Sequence, residues 1–354
     1  MTQSLMISVD AMGGDHGPQV TLGGIALALK SMPRNVRFLV HGDAAILEAE
    51  CARIGLATDQ LQISHTDKVI ASDEKPATAL RRGKGSSMWN SVEAVKTGQA
   101  IAAVSAGNTG GLMAISKLIL RMSVDVDRPC LVASWPGVKG LTTVLDVGAN
   151  IDCDAKRLVE FAIMGEAFHR AAHGIARPTV GLLNVGSEDM KGHEEVRQAH
   201  AILRDGPFNL DYRGFVEGDD LWQNSVDVVV TDGFTGNVAL KTAEGTANYI
   251  AHELRSALTS TLGSKLGAML ARPALRQFRN RLNPPRAAPL LGLNGVVVKS
   301  HGGADARDFA DAIKMAIDLS QSDFAGEIER NMTQMTKAVA EANMTTDEGA
   351  PAGA

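Results

Sequence analysis

The feature that most constrains this chain is a recurring unit: a short apolar run, a glycine-rich loop, and then a segment with helical periodicity. The first instance is residues 5–9, followed by the loop MGGDHG and by residues 18–31. Other apolar runs, such as VDVVV and GVVVK, do not alternate with polar residues, which indicates strands buried on both faces. The sequence therefore predicts a doubly wound α/β fold, with a mostly parallel sheet and helices on both faces.

The loops that follow the predicted strands carry most of the information about function. Apart from the short GAN, they are MGGDHG, SAGNTGG, GSEDMKG, DGFTGN and SHGGAD. Because the carboxyl ends of parallel strands meet at one edge of a sheet, we expect these loops to converge there. Glycine suits tight turns for geometry alone, but four of these loops also carry side chains that donate hydrogen bonds. That combination favours an anion site built from backbone N–H groups and helix N-termini.

The loops exclude several other kinds of site. GGDHGP is neither GxGxxG nor GxxxxGK[ST], and AGNTGG has no lysine for outer phosphates. A dinucleotide site and a nucleoside triphosphate site are therefore disfavoured, whereas a smaller phosphate ligand remains open. We expect no cofactor and no metal, because close His/Cys clusters are missing. Cys51, Cys130 and Cys153 are far apart, so we expect them to be structural.

Charge and length set further bounds on partners and location. The net charge is −5 and aromatic residues make up 4% of the 354 residues, which argues against a nucleic-acid partner. The first residues do not resemble a signal peptide, and no run of about 18 apolar residues occurs, so we expect a cytoplasmic protein. We predict a single α/β domain over residues 1–340 and a disordered tail over 341–354.

Three polar groups are candidates for chemistry, and each has a structural alternative. His16 either contacts an anion and protonates a leaving group or ties its loop to neighbours. Lys191 either pairs with a phosphate or an oxyanion or is a solvated loop lysine. Asp232 and Asn237 bracket DGFTGN, with Lys241 one helical turn further. Asn237 occupies the expected N-cap of the next helix, and capping is its default role.

One long segment has a charge balance unlike the rest of the chain. Residues 254–304 contain no Asp or Glu and eight Lys or Arg, so the remainder carries −5 − 8 = −13. Leucines recur there at helical spacing, which predicts a protruding, basic amphipathic helical hairpin over 254–291. It either packs on the domain or at a dimer seam, or meets phospholipid headgroups or an acidic protein. The predicted contact residues are Leu262, Lys265, Leu266, Met269, Arg272, Arg276 and Arg279.

Several motifs occur in an order that resembles one known family. DAMGGDHGP, SAGNTGGLMA, DVGAN, NVGSEDMKG, TDGFTGNVALKTAEG and GLNGVVVKSHGGAD follow one another between about residues 5 and 323. Each motif alone is weak, but the ordered set is specific. Together they resemble the acyl-acyl carrier protein:phosphate acyltransferase family of bacterial phospholipid synthesis. The one departure lies near Ala239, where bulkier residues are expected.

The resemblance implies a concrete activity and fold. Members transfer a fatty acyl group from acyl carrier protein to inorganic phosphate, and the acyl phosphate then serves a membrane glycerol-3-phosphate acyltransferase. The implied fold is isocitrate/isopropylmalate dehydrogenase-like and phosphotransacetylase-like, without a nicotinamide. The family is expected to form homodimers and to associate peripherally with the membrane. Alternatives are a short-chain acyl-CoA phosphotransacylase and a non-catalytic, membrane-docking anion-binding protein.

On this basis we predict direct attack of phosphate on the thioester, helped by a small set of residues. The predicted catalytic residues are His16, Lys191, Asp232 and Asn237. The predicted phosphate-binding or substrate-binding residues are Gly13, Gly14, Gly107, Asn108, Thr109, Gly110, Gly236, Lys241, Gly302 and Gly303.

Overall fold

The structure is a computed structural model, which describes residues 4–123, 126–206, 208–282, 287–324 and 326–333. The predicted tail at 341–354, the ends of the predicted 1–340 domain and the side chain of Arg279 lie outside these residues. The strands are β1 (Leu5–Asp10), β2 (Val36–Gly42), β3 (Leu61–His65), β4 (Ala102–Ser105), β5 (Cys130–Pro136), β6 (Leu141–Leu145), β7 (Thr179–Leu183), β8 (Asp211–Val216), β9 (Val228–Val230), β10 (Ala287–Leu291) and β11 (Val296–Ser300).

The helices occupy the segments between the strands. They are α1 (Pro18–Ser31), α2 (Ala44–Ile54), α3 (Pro76–Arg82), α4 (Ser87–Lys96), α5 (Thr109–Leu120), α6 (Ala155–His173), α7 (Glu194–Asp205), α8 (Asp220–Gln223), α9 (Gly233–Thr259), α10 (Leu262–Leu270), α11 (Arg272–Leu282) and α12 (Ala306–Gln321). Helix α1 begins at Pro18, whose missing N–H has no intrahelical partner at that position. Within the described ranges, no helix is both long and apolar enough to cross a bilayer.

The strands form one sheet in the order β3-β2-β1-β4-β11-β10-β5-β6-β9-β7-β8. Seven of the ten strand pairs are parallel, and the antiparallel pairs are β11/β10, β10/β5 and β5/β6. Alternate strand residues pack on opposite helical layers: Val104 lies in the core with α1 and α12, whereas Ala103 lies in the core with α4 and α5. The predicted doubly wound, mostly parallel α/β fold is confirmed.

The end of the predicted helical hairpin is a strand of the sheet. The predicted hairpin segment 254–291 includes the end of α9, then α10 and α11, but its last five residues form strand β10. Residues 287–291 are mostly buried between β11 and β5, so they belong to the centre of the sheet.

The glycine-rich loops that follow the strands were expected to lie at one edge of the sheet, and they do not. Three successive antiparallel pairs separate β11 from β6, and an odd number of reversals places their carboxyl ends at opposite edges.

Two buried histidines make the fold sensitive to acid. Burial lowers the pKa of His41 to about 4, and burial with the nearby His173 lowers that of His169 to about 4. Their rings contact the hydroxyls of Ser8 and Thr143, each at 2.9 Å. Both are neutral in the folded state, whereas the unfolded chain takes up protons below pH 6.5. These two groups therefore lower stability as the pH falls from about 6.5 to about 4.

We expect the thermal midpoint of unfolding to fall over this pH window. His169→Gln is expected to flatten that dependence, whatever its effect on the midpoint at pH 7.5, because it removes one of the groups that titrates only after unfolding. Differential scanning fluorimetry from pH 7.5 to 4 measures both slopes. An equal slope in the wild type and the variant would show that His169 is not one of these groups.

Candidate active site

The start of α9 lies directly after strand β9 and is capped by Asp232. The Asp232 carboxylate accepts hydrogen bonds from the Thr235 N–H at 2.8 Å and the Thr235 hydroxyl at 2.7 Å. The expected cap at Asn237 is therefore wrong: the loop DGFTGN is itself the first turn of the helix, and Asn237 lies inside it. An acidic cap stabilises this end because the first N–H groups have no intrahelical partners.

Two glycines bring the first turn of α9 against the segment 146–150 that follows β6. The Gly233 N–H donates to the Asn150 carbonyl at 2.7 Å. A Cβ added to Gly236 would lie 2.0 Å from the Asp146 carbonyl oxygen. Any side chain at that position would force the helix off the loop. Gly236 is thus required by the close approach of two backbones.

Asp146 organises this loop, although the sequence analysis did not single it out. Its fully buried carboxylate accepts backbone hydrogen bonds from Leu131, Gly148, Ala149 and Asn150, at 2.6–3.3 Å. The Asn150 side chain adds a bond of 2.9 Å. Burial raises the pKa of Asp146, and these hydrogen bonds oppose the rise. The sequence feature that could have indicated this role is the acid of DVGAN, which follows an apolar strand and precedes a glycine by two residues.

Asn237 lies beside this loop and its side chain is exposed. Its Oδ1 is 3.4 Å from where a Cβ on Gly148 would be, and Gly148 has a φ of +132° that favours glycine. Within the described part of the chain, no hydrogen bond engages the Asn237 side chain. The amide is therefore available to a ligand near the N-terminus of α9.

The loop after β7 presents Lys191. The Asn184 amide donates to the carbonyls of Gly186 and Lys191, at 3.1 and 3.0 Å, which closes the loop. The Lys191 ammonium lies 2.8 Å from Glu188, and this partner raises the pKa of the lysine. Both side chains are at least half exposed. Lys191 is thus a charged group at the surface of a constrained loop.

A cavity of about 950 Å³, which we call the α9 cavity, lies between α9 and these loops. At the start of α9 its wall includes Asn184, His193, Thr231, Asp232 and Thr235. Away from that end it is mainly apolar and is lined along α9 as far as Ile250. Its volume is at the upper end of the range for ligand sites. Among the described residues that line it, none belongs to α10 or α11, so the leucine-rich hairpin does not form its wall.

The other predicted loops form a separate group at the carboxyl ends of β1, β4 and β11. The Asp15 N–H donates to the Gly302 carbonyl at 2.9 Å, which joins the first and last of these loops. A Cβ on Gly13 would lie 2.6 Å from both the Asp10 carboxylate and the Gly107 nitrogen. Gly13 and Gly107 therefore allow close packing of the loops.

A buried charged cluster anchors this second group. The Ser105 hydroxyl donates to Asp10 at 2.6 Å, and the Gly107 N–H donates to Ser105 at 3.0 Å. Lys299 donates to the Ala106 carbonyl at 3.2 Å and also to the Ser300 carbonyl. Burial raises the pKa of Asp10 and lowers that of Lys299 to about 8. The signal in the sequence was a charge at the end of an apolar strand, in SVD and in VVVKS.

The remaining predicted residues lie apart from the α9 cavity. Asn108 caps α5 through the Gly111 N–H at 2.7 Å, and its amide holds the carbonyls of Ser72 and Glu74. Thr109 and Gly110 form the first turn of α5, next to Pro76. His16 is exposed in a shallow recess beside α2. Gly14 packs on Ala106, Gly303 lies near Asp15, and Lys241 pairs with Glu244 at 2.7 Å.

Known proteins similar to this chain include phosphate acyltransferases. Residues 5–327 match the family model described as "Fatty acid synthesis protein". A phosphate acyltransferase of Phenylobacterium zucineum is 65% identical over 99% of this chain and 100% of its own length. A phosphate acyltransferase of Caulobacter vibrioides is 62% identical over 96% of this chain and 95% of its own length.

Solved structures share the fold at low sequence identity. A phosphotransacetylase from Streptococcus pyogenes aligns with a TM-score of 0.60 and 16% identity, over 90% of this chain and 94% of its own. A branched-chain phosphotransacylase from Enterococcus faecalis aligns with a TM-score of 0.56 and 15% identity, over 90% and 99%. These likenesses establish the architecture, in agreement with the phosphotransacetylase-like fold expected from the sequence.

Proposed function

Because the chain belongs to the phosphate acyltransferase family, and is therefore an acyltransferase, we propose that it transfers a long-chain fatty acyl group from acyl carrier protein to inorganic phosphate. The observation that carries this proposal is the α9 cavity, whose polar end is the N-terminus of a helix and whose remainder is mainly apolar. A thioester carbonyl at the polar end and an acyl chain along the apolar wall fit that arrangement.

The proposed reaction is a single acyl transfer. A phosphate oxygen attacks the thioester carbonyl carbon, the new C–O bond forms, and the C–S bond breaks to release the pantetheine thiolate, which takes up a proton. Phosphate is already a nucleophile and needs mainly to be positioned. Cysteine does not supply a credible nucleophile: burial raises the pKa of Cys153 to about 12 and raises those of Cys51 and Cys130. Direct attack therefore agrees with these environments.

Residues around the polar end are assigned roles on this basis. The N–H groups of Gly233, Thr235 and Gly236 already donate to Asn150 and Asp232, so the predicted role of Gly236 in substrate binding is replaced by a packing role. We assign the Phe234 N–H and the dipole of α9 to stabilising the oxyanion of the tetrahedral state. We assign Asn237 as a further donor and Lys191 as electrostatic help for phosphate or for the leaving thiolate. Asp232 is a positioning residue, because it caps the helix that carries these donors. Lys241 lies two turns into α9 as an additional cation.

The remaining assignments concern residues outside the α9 cavity. His16 and the glycine loops of β1, β4 and β11 lie at the other edge of the sheet. Phosphate binding by those loops stays a prediction, and the reaction proposed here does not depend on it.

The size of the α9 cavity favours a long acyl chain over the short-chain alternative. An acetyl group would leave most of an apolar space of about 950 Å³ empty. Burial of a long chain contributes about 0.8 kcal/mol for each methylene group. A non-catalytic anion-binding protein would have no use for an apolar cavity next to its anion site.

The direct test is phosphate-dependent release of free thiol from palmitoyl-acyl carrier protein. We expect release that requires phosphate and is accompanied by acyl phosphate, trapped as the hydroxamate. Acetyl-CoA in place of the carrier-protein substrate tests the short-chain alternative and is expected to react far more slowly. Phosphate binding without thiol release from either substrate would overturn the enzymatic proposal.

We further propose that α10 and α11 dock on a membrane surface. Large apolar side chains are exposed on both helices: Leu262, Leu266, Met269 and Leu270 are 59–81% exposed, and Phe278 is 43% exposed. Lys265, Arg272 and Arg276 are exposed on the same two helices. An apolar face flanked by cations is typical of helices that lie in the interface of an anionic membrane.

We expect Leu266→Glu combined with Met269→Glu to reduce sedimentation with anionic liposomes at least tenfold, because two buried apolar contacts become two repelled charges. Ser256→Glu combined with Gln277→Glu adds the same charge at exposed polar positions, and we expect it to retain most of the binding. Liposome sedimentation of both variants, with circular dichroism to confirm folding, makes the measurement. Equal losses in the two variants would mean that net charge, and not the apolar face, holds the protein on lipid.

Three partner assignments complete the proposal. The cations of α10 and α11 also suit acyl carrier protein, which the family resemblance implies and whose surface is acidic. The resemblance further implies a homodimer and a membrane glycerol-3-phosphate acyltransferase that consumes the acyl phosphate. Chemical crosslinking and sedimentation velocity test the first two of these contacts.

A further inference from the structure

We propose that the cavity-facing side of α9 limits the length of the acyl chain. The length of the α9 cavity that its side chains leave open would set the longest chain accepted. The inference rests on the proposed function and concerns the same cavity. Within the described residues, the α9 side chains that line its middle are small: Ala239, Thr242, Ala243, Thr246 and Ala247. Larger apolar residues lie nearer its two ends on α9, Phe234 and Val238 at the start and Ile250 at the far end.

The wall opposite α9 is partly aromatic. Trp135 is buried, and its ring meets that of Trp222 edge to face with centroids 5.3 Å apart. Leu221, also buried, lies in the same wall. Trp222 is 40% exposed, but Trp135 and Leu221 are packed in a core cluster, so the open width of the cavity is controlled mainly by the side chains that α9 presents. The small side chains extend from Ala239 to Ala247, which is about two and a half helical turns.

The length of the open side matches a long acyl chain. Thr235 and Ile250 are fifteen residues apart on one helix, which corresponds to about 22 Å along its axis. With carbon–carbon bonds of about 1.5 Å in a zigzag, an extended sixteen-carbon chain measures roughly 19 Å. A thioester carbonyl held at the start of α9 would therefore place the chain terminus near Ile250.

Large apolar side chains at the rim of the α9 cavity are exposed to solvent. Phe234 is 61% exposed, Val238 49% and Ile250 42%. Covering such surface is favourable in proportion to the apolar area removed from water. We assign the acyl chain as the occupant, because the cavity is continuous with the α9 N-terminus and the protein belongs to an acyltransferase family.

The test is a series of bulky substitutions at graded depth, each assayed by thiol release from acyl carrier protein loaded with chains of 6 to 18 carbons. Thr246→Phe is expected to lower the rate with sixteen carbons at least tenfold and to leave the rate with ten carbons nearly unchanged. Thr242→Phe lies one turn nearer the carbonyl, about 6 Å, so its cutoff is expected roughly five carbons earlier. Ile250→Ala should extend the range to longer chains.

Asn248→Phe is the matched control, because Asn248 is exposed on α9 but does not line the cavity. We expect it to keep the chain-length profile of the wild type. If the wild type releases thiol but the chain-length cutoff does not shift in the Thr242 and Thr246 variants, the proposed limit on chain length is overturned and the proposed function stands. If the wild type shows no phosphate-dependent release at any chain length, both the proposed function and the proposed limit on chain length are overturned.

Discussion

Replacing Asn237 by alanine is expected to lower kcat for acyl transfer by about 10²–10³-fold, the usual cost of losing one preorganised donor to an oxyanion. The Asn237 amide lies beside Gly148 at the start of α9 and makes no hydrogen bond with the described part of the chain. Removing the amide therefore breaks no hydrogen bond with the described residues, and we expect the thermal midpoint to stay within about 2 °C, as for a surface change. Steady-state kinetics and thermal unfolding give both quantities.

The pattern of the kinetic change identifies what Asn237 contacts. A lower kcat at unchanged KM for phosphate and for acyl carrier protein indicates contact with the oxyanion in the transition state. A higher KM for phosphate alone would assign the amide to phosphate binding instead. Asn248→Ala, a matched change at an exposed position of the same helix, is expected to alter neither constant. Wild-type kinetics for Asn237→Ala would remove this residue from the reaction.

Replacing Asp146 by alanine is expected to destabilise the protein by at least about 3 kcal/mol. The variant leaves four backbone N–H groups and one side-chain amide without their shared acceptor, and each unsatisfied buried donor costs about 1–3 kcal/mol. Asp154→Ala is the matched control, because Asp154 is an exposed N-cap on α6. Its loss is expected to cost about 1 kcal/mol. Urea unfolding of both variants measures the difference.

The Asp146 prediction also bears on activity. Segment 146–150 supports the first turn of α9 through the Gly233–Asn150 hydrogen bond and the close approach at Gly236. When the segment rearranges, the N–H groups of that turn move from their positions, so acyl transfer is expected to fall even under conditions where Asp146→Ala is folded. A variant with wild-type stability would show that solvent replaces the lost acceptor and that the loop is not held by this carboxylate.

Local patterns predicted the elements of the fold well. Continuous apolar runs marked β1, β4, β9 and β11, because strands buried on both faces have no solvated side. Pro18 marked the start of α1, and the predicted helix 18–31 coincides with it. The first turn of α9 was placed less well. DGFTGN resembles a loop by composition, yet the Asp232 cap makes it helical.

The site was predicted less completely than the fold. The motifs drew attention to Asp232, which lines the polar end of the α9 cavity. Gly236, Asn237 and Lys191 do not line it but are chain neighbours of residues that do. Buried charges were overlooked, since Asp146 and Lys299 occupy the ends of apolar strands where one charge changes the pattern little. Their importance follows from desolvation and from the backbone groups that surround them.

The sequence by itself determined the repeated strand–loop–helix unit, the glycine loops, the acid-free basic segment and the family resemblance, because each depends on neighbouring residues or on an ordered set of motifs. Only the tertiary structure decided which loops share an edge. Strands β10 and β5 reverse the direction of the sheet at its centre, and that pairing depends on contacts between residues far apart in the chain. The α9 cavity arises in the same way, since Trp135, Leu183 and Ile250 line one cavity only when the sheet and α9 pack together.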